Sequence, residues 1–224
     1  MIYIAPSLLA ADFANLQTEV KRIADAGANY LHLDVMDGAF VPNLSFGAQV
    51  VSALRPHSKL IFDVHLMIND PIRYIDDFVK AGADIITFHL ESCQDPQKVI
   101  DTIRQKEVRV GLSISPATPV EQLIPYLPQI DMALIMTVVP GFGGQAFMPE
   151  MLEKVRTVKR YADSCGLSLD IEVDGGLKPD NIGLATAAGA NIIVAGSAIF
   201  GAKRPRTAIA AMRATAAENP YQKD

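Results

Sequence analysis

The chain has 224 residues, half of them hydrophobic, and a formal net charge of −5 from 20 basic and 25 acidic residues. It has no basic run, so neither nucleic acid nor an acidic membrane surface is expected as a partner. The two cysteines, Cys93 and Cys165, stand in unrelated contexts and do not suggest a disulfide framework or a cysteine-based zinc site. Without a signal-peptide or membrane-span pattern, the expected compartment is the reducing cytoplasm.

Eight short apolar segments are predicted to be β-strands. They cover residues 3–7, 30–36, 60–67, 84–90, 109–115, 132–138, 169–174 and 191–196. Their apolar character is nearly continuous rather than strictly alternating. This pattern is typical of parallel strands that are buried on both faces.

Segments with helical periodicity separate these strands. In the first of them, Phe13, Leu16, Val20 and Ile23 fall on one face by steps of three and four residues. Helices are predicted over about 11–27, 46–56, 69–82, 95–107, 118–127, 149–164, 179–188 and 205–217. A faint repeat ("DAGANY", "KAGADI", "AAGANI") ends three helices and begins the strands that follow.

The alternation predicts a single (β/α)8 TIM barrel over residues 1–217, with residues 218–224 as a flexible C-terminal tail. The alternative is an open, doubly wound sheet. That fold would normally carry a glycine-rich turn after the first strand, and "IAPSLLAAD" has none.

Polar side chains interrupt the apolar strands near their ends. His32 and Asp34 share one face of the second strand, His65 lies late in the third, and Asp174 ends the seventh. Taken singly, such residues are more often hydrogen-bonded core residues or helix caps. Together, at the active-site end of a barrel, they form a reasonable ligand set for one divalent metal ion. Nitrogen and oxygen ligands fit Zn²⁺, Fe²⁺, Mn²⁺ or Co²⁺, and composition does not choose among them. His89, late in the fourth strand, is either an outer contact of this set or plain core.

Three glycine-rich segments follow the last three strands. They are "VVPGFGGQAF" at 138–147, "DGG" at 174–176 and "AGSAIFG" at 195–201. Each alone could be a tight turn. Together they can bind a phosphate through backbone N–H groups, and the loops after strands seven and eight are a frequent phosphate site of this barrel.

Three methionines, Met36, Met67 and Met136, fall at the same strand ends. Core filling is the usual role of methionine, but here the side chains could also form a water-excluding wall. Met36 stands where decarboxylases and synthases of related barrels are expected to carry the lysine of an Asp-x-Lys motif. Those reactions are therefore not favoured.

The segments "LHLDVMDGAFVPNLSFG", "DVHLM", "PGFGGQAF" and "VDGG" resemble ribulose-phosphate 3-epimerases in order and spacing, and the resemblance runs from residue 5 to residue 201. It implies a metal-dependent isomerase that interconverts D-ribulose 5-phosphate and D-xylulose 5-phosphate through a cis-enediolate. The family serves the pentose phosphate pathway and the Calvin cycle. The resemblance also implies a homo-oligomer.

The resemblance assigns roles residue by residue. Asp34 and Asp174 match the acid/base pair and, with His32 and His65, the metal ligands. The positions that match substrate-binding residues are Ser7, His65, Gly141, Phe142, Gly143, Gly144, Asp174, Gly175, Gly176, Gly196 and Ser197. The positions that match methionines lining the reacting carbons are Met36, Met67 and Met136.

Two alternatives stay open beside this interpretation. Hexulose-6-phosphate epimerases share the HxD and HLM motifs, but their loops are expected to be closer to GFAG and VDGS than to the GFGG and VDGG found here. A non-catalytic sugar-phosphate-binding barrel would have no need to keep both Asp34 and Asp174.

Overall fold

The computed structural model describes residues 1–222, so Lys223 and Asp224 of the predicted tail lie outside the described residues. Eight parallel strands follow one another along the chain: β1 Tyr3–Pro6, β2 Tyr30–Met36, β3 Ile61–Met67, β4 Ile85–His89, β5 Arg109–Ile114, β6 Met132–Met136, β7 Asp170–Asp174 and β8 Ile192–Ala195. Each predicted strand is present, and its ends differ from the prediction by no more than two residues.

The strands curl into a nearly closed barrel. Their order is β1-β8-β7-β6-β5-β4-β3-β2, and every neighbouring pair is parallel. In the remaining gap between β1 and β2, Ser7 and His32 form a parallel bridge. The Asn29 N–H donates to the Ile4 carbonyl at 3.1 Å in the same gap. The predicted (β/α)8 fold is therefore confirmed.

Helices cover the outside of the barrel. They are α1 Leu16–Asp25, α2 Ala48–Leu54, α3 Ile75–Ala81, α4 Pro96–Arg104, α5 Leu152–Cys165, α6 Ile182–Ala188, α7 Ser197–Phe200 and α8 Pro205–Glu218. The short α7 directly follows β8 and lies at the mouth of the barrel. Within residues 1–222, none of the helices has the length and apolar character needed to cross a bilayer.

The helix predicted over 118–127 is wrong. Two 3-10 helices, Val120–Gln122 and Ile124–Gln129, take its place. Pro125 and Pro128 lie in the second of them. A proline has no N–H to donate and clashes with the preceding turn, so a continuous α-helix cannot form there despite the apolar periodicity.

The main hydrophobic core lies between the barrel and the helices. Val20 and Ile23 of α1 are fully buried, as predicted, whereas Phe13 is 46% exposed. Phe13 precedes α1 in a separate 3-10 turn, in which the Asp12 side chain accepts from the Ala14 N–H. Each fully buried aliphatic side chain stabilises the fold by about 1.5–3 kcal/mol.

A second apolar cluster fills the interior of the barrel at the N-terminal ends of the strands. Its buried members are Ala5, Tyr30, Ile85, Met132, Ile192 and Val194. Because this floor closes the lower end, polar residues placed further along the strands face only the upper mouth of the barrel.

The described part of the predicted tail begins with Glu218, the last residue of α8. Tyr221 lies beyond the helix, with the Lys159 amine 5.1 Å from the centre of its ring. Flexibility of residues 218–224 stays a prediction.

Candidate active site

Polar side chains alternate along three strands and point into the barrel. The pairs are His32 and Asp34 on β2, Asp63 and His65 on β3, and Glu172 and Asp174 on β7. Residues two apart on a strand share a face, and the register of β2 with β3 sets His32 beside Asp63 and Asp34 beside His65. The result is a deep layer of His32, Asp63 and Glu172 below an upper layer of Asp34, His65 and Asp174.

The four predicted metal ligands converge at the top of the barrel. His32 Nε2 lies 3.2 Å from His65 Nδ1 and 3.3 Å from Asp34 Oδ1. His65 Nδ1 is also 3.3 Å from Asp34 Oδ1. Asp174 Oδ2 completes the cluster at 3.7 Å from His32 Nε2 and 3.9 Å from His65 Nδ1. One donor atom of each residue therefore lies within 4.8 Å of all the others.

The spacing and chemistry of these donors fit one cation. Four ligands placed tetrahedrally at about 2.0–2.1 Å from an ion are separated by about 3.3 Å from one another, which is close to the observed distances. His32 Nδ1 lies 2.7 Å from Asp63 Oδ2 and donates to it, so a neutral His32 turns an unprotonated Nε2 toward the cluster. Lone pairs and carboxylates that converge in this way repel one another, and a divalent ion relieves the repulsion. The cluster can therefore hold a metal ion.

The deep layer contains one ionised and one neutral carboxyl group. Asp63 accepts from His32 Nδ1 and, at 2.8 Å, from the Thr87 hydroxyl. Burial raises the pKa of Asp63, but the charge of His32 and these hydrogen bonds outweigh it and lower the pKa. Neither oxygen of Glu172 has a hydrogen-bond partner among the described residues. Burial and the charge of Asp63 raise the pKa of Glu172 well above its usual value, so Glu172 is neutral.

The pKa values of the two predicted acid/base residues are shifted in opposite directions. Burial raises the pKa of Asp34, but the charge of His32 and the close contacts of Asp34 with His32 and His65 outweigh it and hold the pKa far below its usual range. The Ser7 hydroxyl also donates to Asp34 Oδ2, at 2.5 Å. Burial, followed by the charge of Asp34, raises the pKa of Asp174 to about 7. One carboxyl group can therefore act as a base while the other holds a proton.

The two histidines of the cluster also differ in pKa. Burial lowers the pKa of His32, but the charges of Asp34 and Asp63 outweigh it and raise the pKa well above the usual value. Burial lowers the pKa of His65 to about 4, although the hydrogen bond with Asp34 opposes this shift. His65 is thus a neutral imidazole at neutral pH, the form in which histidine binds a metal.

A cavity of about 730 Å³ opens above the cluster. Asp34 and Asp174 line it, whereas His32 and His65 are fully buried beneath it. The predicted substrate-binding residues that line this cavity are Ser7, Gly141, Phe142, Gly143, Gly144, Asp174, Gly175, Gly176, Gly196 and Ser197. His65 is the one predicted substrate contact that does not line it, and its direct contact with substrate stays a prediction.

Three methionines line the same cavity: Met36, Met67 and Met136. All three are almost completely buried. Met36 and Met67 are opposite each other in the register of β2 with β3 and pack with Val41. Their side chains make an apolar wall beside the carboxyl groups, and their contact with the reacting carbons stays a prediction.

Backbone geometry shapes the glycine-rich side of the cavity. Gly175 and Gly176 have φ values of 129° and 68°, in the region that favours glycine. A Cβ added to Gly176 would lie 2.5 Å from the backbone N of Phe147, so the two loops are in close contact. The Gln145 amide donates to the Val139 carbonyl at 2.6 Å, which folds the loop after β6 onto itself. Backbone N–H groups in such turns can bind an anion.

Three residues around the cavity were not predicted from the sequence. The Asn43 amide donates to the Gly141 carbonyl at 2.9 Å and joins the loop after β2 to the loop after β6. The Thr137 hydroxyl donates to the Gly175 carbonyl at 2.8 Å and fixes the start of the loop after β7. Lys178 is exposed and, among residues 1–222, is the only basic residue that lines this cavity.

The fold and the site together define a (β/α)8 barrel with paired carboxyl groups at the C-terminal ends of its strands, where enzymes of this fold carry their active sites. The sequence profile of the Ribulose-phosphate 3 epimerase family matches residues 3–200, which is most of the chain. The chain belongs to this family.

Relatives at high identity agree with this assignment. A protein named "Ribulose-phosphate 3-epimerase, cytoplasmic isoform" from Oryza sativa subsp. japonica is 52% identical over 215 residues, which cover 94% of this chain and 92% of that protein. A ribulose-phosphate 3-epimerase from Synechocystis sp. is 49% identical over 214 residues, with 95% and 93% of the two chains covered.

Among solved structures, KGPDC from Streptococcus mutans has the same fold. The TM-score is 0.71 at 17% identity, and the match covers 98% of this chain and 99% of that one. At this identity the likeness supports the barrel architecture alone.

Proposed function

We propose that the chain interconverts D-ribulose 5-phosphate and D-xylulose 5-phosphate by epimerisation at C3. The observation that carries the proposal is the pair Asp34 and Asp174, whose pKa values are driven apart beside one cavity. Family membership supports the choice of substrate, because relatives that align with more than nine-tenths of the chain bear that name. Such an enzyme is an isomerase.

Inverting a carbon next to a ketone requires proton removal on one face and proton return on the other. Ionised Asp34 removes the proton from C3, and the electron pair of the broken C–H bond moves toward the C2 carbonyl to give a cis-enediolate. Protonated Asp174 then returns a proton to C3 from the opposite face. β2 and β7, which carry the two residues, are three strands apart around the ring, so the carboxyl groups approach from different sides. The reverse reaction starts from the proton-swapped state.

The residues proposed to hold a divalent ion are His32, Asp34, His65 and Asp174. When bound, such an ion is a Lewis acid that stabilises negative charge developing on the substrate oxygens. We propose Zn²⁺ or Fe²⁺, with Mn²⁺ or Co²⁺ as the alternatives. The chain itself orients the imidazole of His32 through Asp63 and excludes water with its methionine wall.

The phosphate of the substrate is proposed to bind the loops that follow β6, β7 and β8. Gly143, Gly144 and Gly176 supply backbone N–H groups there, and Ser197 begins α7 on the same side of the cavity. Binding the phosphate away from the carboxyl groups positions C3 between Asp34 and Asp174, which lowers the barrier by orientation.

Proton exchange tests this proposal directly. Incubation with D-ribulose 5-phosphate in D₂O is expected to incorporate deuterium at C3 and to yield D-xylulose 5-phosphate, as followed by NMR. A hexulose 6-phosphate serves as the comparison substrate. Binding without exchange would make the chain a sugar-phosphate-binding barrel instead, and faster turnover of the hexulose phosphate would make it a hexulose-6-phosphate epimerase.

Lys178→Ala is expected to raise KM about three- to tenfold and to leave kcat within about twofold of wild type. An exposed amine that reaches the phosphate contributes little more than about 1 kcal/mol, and it does so equally in the ground state and the transition state. The measurement is steady-state kinetics at two salt concentrations, since screening should weaken the difference. Lys98→Ala is the matched control, because Lys98 is exposed on α4 and does not line the cavity. Equal KM values in both variants would contradict this role of Lys178.

Three further expectations stay proposals. A homo-oligomer and a role in the pentose phosphate pathway or the Calvin cycle follow from the family resemblance. A cytoplasmic location is supported by the relative named as a cytoplasmic isoform.

A further inference from the structure

A series of hydrogen-bonded side chains begins at His65 and leads away from the proposed metal site. His65 Nε2 lies 2.8 Å from Nε2 of His89, a residue that is fully buried on β4. The ring centroids are 5.0 Å apart and the ring planes differ by 23°, so the two rings meet edge to edge through these nitrogens. On its other side, His89 Nδ1 lies 3.2 Å from Glu91 Oε2. No part of the proposed proton transfer uses His89 or Glu91.

We propose that Glu91 acts through His89 as a positioning residue: it fixes the hydrogen-bond direction that leaves His65 Nδ1 free to bind the cation. The inference deepens the proposed function and rests on its metal ion. Neither Glu91 nor His89 belongs to the cluster of potential metal ligands. Both therefore act by setting which nitrogen of His65 carries the hydrogen.

The contact between the two histidines requires one proton, and only one of its two placements leaves Nδ1 of His65 free for a metal ion. Two ring nitrogens 2.8 Å apart need one hydrogen between them, because two lone pairs or two N–H groups would repel. A neutral imidazole carries its hydrogen on one nitrogen. If His89 donated, His65 would have to carry its hydrogen on Nδ1, the atom that faces Asp34 Oδ1 and His32 Nε2. Only a His65 that donates from Nε2 presents a lone pair to a metal ion.

Glu91, at the end of the series away from the metal site, determines the direction of these hydrogen bonds. For His89 Nε2 to accept, His89 must carry its hydrogen on Nδ1 and donate it to an acceptor. Glu91 is such an acceptor, since burial raises its pKa but hydrogen bonds from His89 and Thr118 outweigh it and lower the pKa to about 2. A carboxylate cannot donate, so the whole series of hydrogen bonds points outward from the metal site.

The orientation of Glu91 is itself fixed. Its Oε1 accepts from the Ser115 N–H at 2.7 Å and from the Thr118 hydroxyl. The loop that supplies these donors is held by Lys154, whose amine donates to the Ser115 carbonyl at 3.2 Å and to the Thr118 carbonyl at 2.7 Å. Both carboxylate oxygens of Glu91 therefore have assigned partners, and only Oε2 faces His89.

Glu91→Gln tests the inference because it keeps the shape of the side chain and reverses one hydrogen bond. The amide oxygen is expected to take the position of Oε1, where two donors point at it, and the NH₂ group then faces His89 Nδ1. His89 Nδ1 then faces an amide donor at short range, with the Ser115 hydroxyl as a longer contact at 3.5 Å. His89 is expected to accept from the amide and to donate from Nε2, which moves the hydrogen of His65 onto Nδ1. We expect the dissociation constant of Zn²⁺ to rise about 10–100-fold, the usual effect of losing an outer partner of a ligating histidine.

The measurement is competition with a chromophoric chelator on metal-stripped protein, supported by the visible absorption spectrum of the Co²⁺-loaded form. Glu121→Gln is the matched control, because Glu121 is exposed and its charge also acts on Lys154, but it does not contact His89. Glu91→Asp keeps an ionised acceptor and is expected to bind Zn²⁺ more tightly than Glu91→Gln.

The outcomes separate this inference from the metal proposal. If metal-stripped wild type does not bind Zn²⁺, the proposed metal role fails, and this inference fails with it. If wild type binds but Glu91→Gln matches it or matches Glu121→Gln, the inference alone is overturned. If Glu91→Gln does not fold, His89→Phe decides, because it removes the partner of His65 Nε2 altogether: a rise in the dissociation constant of about tenfold or more supports the inference, and an affinity within about threefold of wild type overturns it.

Discussion

Asp174→Asn and Asp34→Asn are each expected to lower kcat for epimerisation by about a thousandfold or more. One positioned acid or base contributes about 10²–10⁴-fold, and each asparagine removes the group proposed to serve its face of the substrate. The measurement is kcat for both epimers at saturating substrate and metal. Asp76→Asn is the matched control, because Asp76 lies on the surface of α3 and pairs with Lys106; this variant should keep the wild-type rate.

Proton exchange in D₂O separates the two roles more sharply than the loss of rate. Asp34→Asn leaves Asp174, whose pKa falls once the charge of Asp34 is gone, so that it can serve as a base on its own face. Asp174→Asn leaves ionised Asp34 on the other face. Each variant is therefore expected to exchange the C3 proton of one epimer without inverting it, and the two variants should favour opposite epimers. Near wild-type turnover in either variant, or a shared epimer preference, would contradict the two-base scheme.

The fold could be predicted because its strands are buried on both faces. Such strands are continuous apolar runs, and their regular alternation with helical segments leaves few topologies. The segment 118–127 shows the limit of periodicity as a signal. Its apolar spacing suggests a helix, but Pro125 and Pro128 prevent a continuous α-helix, so the prolines outweigh the periodic pattern here.

The four converging ligands of the candidate site were predicted from the sequence, but the two carboxyl groups of its deep layer were not. Asp34 and Asp174 were identified because each interrupts an apolar run at the end of a strand. Asp63 and Glu172 interrupt the same kind of run two residues before a predicted ligand, in "FDVH" and "IEVD". The spacing of two that paired His32 with Asp34 applies to these residues as well, and it would have revealed the deep layer.

Other features depend on distances that no local pattern contains. The raised pKa of Asp174 on β7 depends on the charge of Asp34 on β2, which is distant from it in the sequence. The outward hydrogen-bond chain from His65 depends on the ring of His89 and on a loop after β5 that holds Glu91. Sequence spacing brings these residues to one end of the barrel, but only the packed structure sets which atom faces which.

Removing the metal ion is expected to abolish epimerisation and to lower the melting temperature, and one equivalent of a divalent ion should restore both. Charge on the developing enediolate then has no Lewis acid to stabilise it, which costs several kcal/mol in the barrier. An ion that binds only the folded state adds about 2.7 kcal/mol of stability at a hundred times its dissociation constant. Activity and melting temperature are measured after chelation and after titration with Zn²⁺, Fe²⁺, Mn²⁺ or Co²⁺.

The affinity for the ion is expected to rise with pH across neutrality. Without metal, Asp174 has a pKa raised to about 7, so it carries a proton below that pH and is ionised above it. In the substrate-free protein a cation competes with this proton for the carboxylate, which weakens binding as pH falls through 7. His65, with a pKa of about 4, is already unprotonated over this range. For a group of pKa 7, the number of protons released for each ion bound rises by about 0.8 as the pH falls from 8 to 6.

Calorimetry in buffers of different ionisation enthalpy measures this proton release. Asp174→Asn has no proton to lose at that position and should bind more weakly, without the growth in proton release between pH 8 and pH 6. His32, whose pKa is also raised, contributes in both proteins and cancels in the comparison. Full turnover in rigorously metal-free protein would remove the ion from the reaction. Equal proton release in wild type and Asp174→Asn would mean that the ion does not displace the proton of Asp174. Asp174 would then not be a ligand.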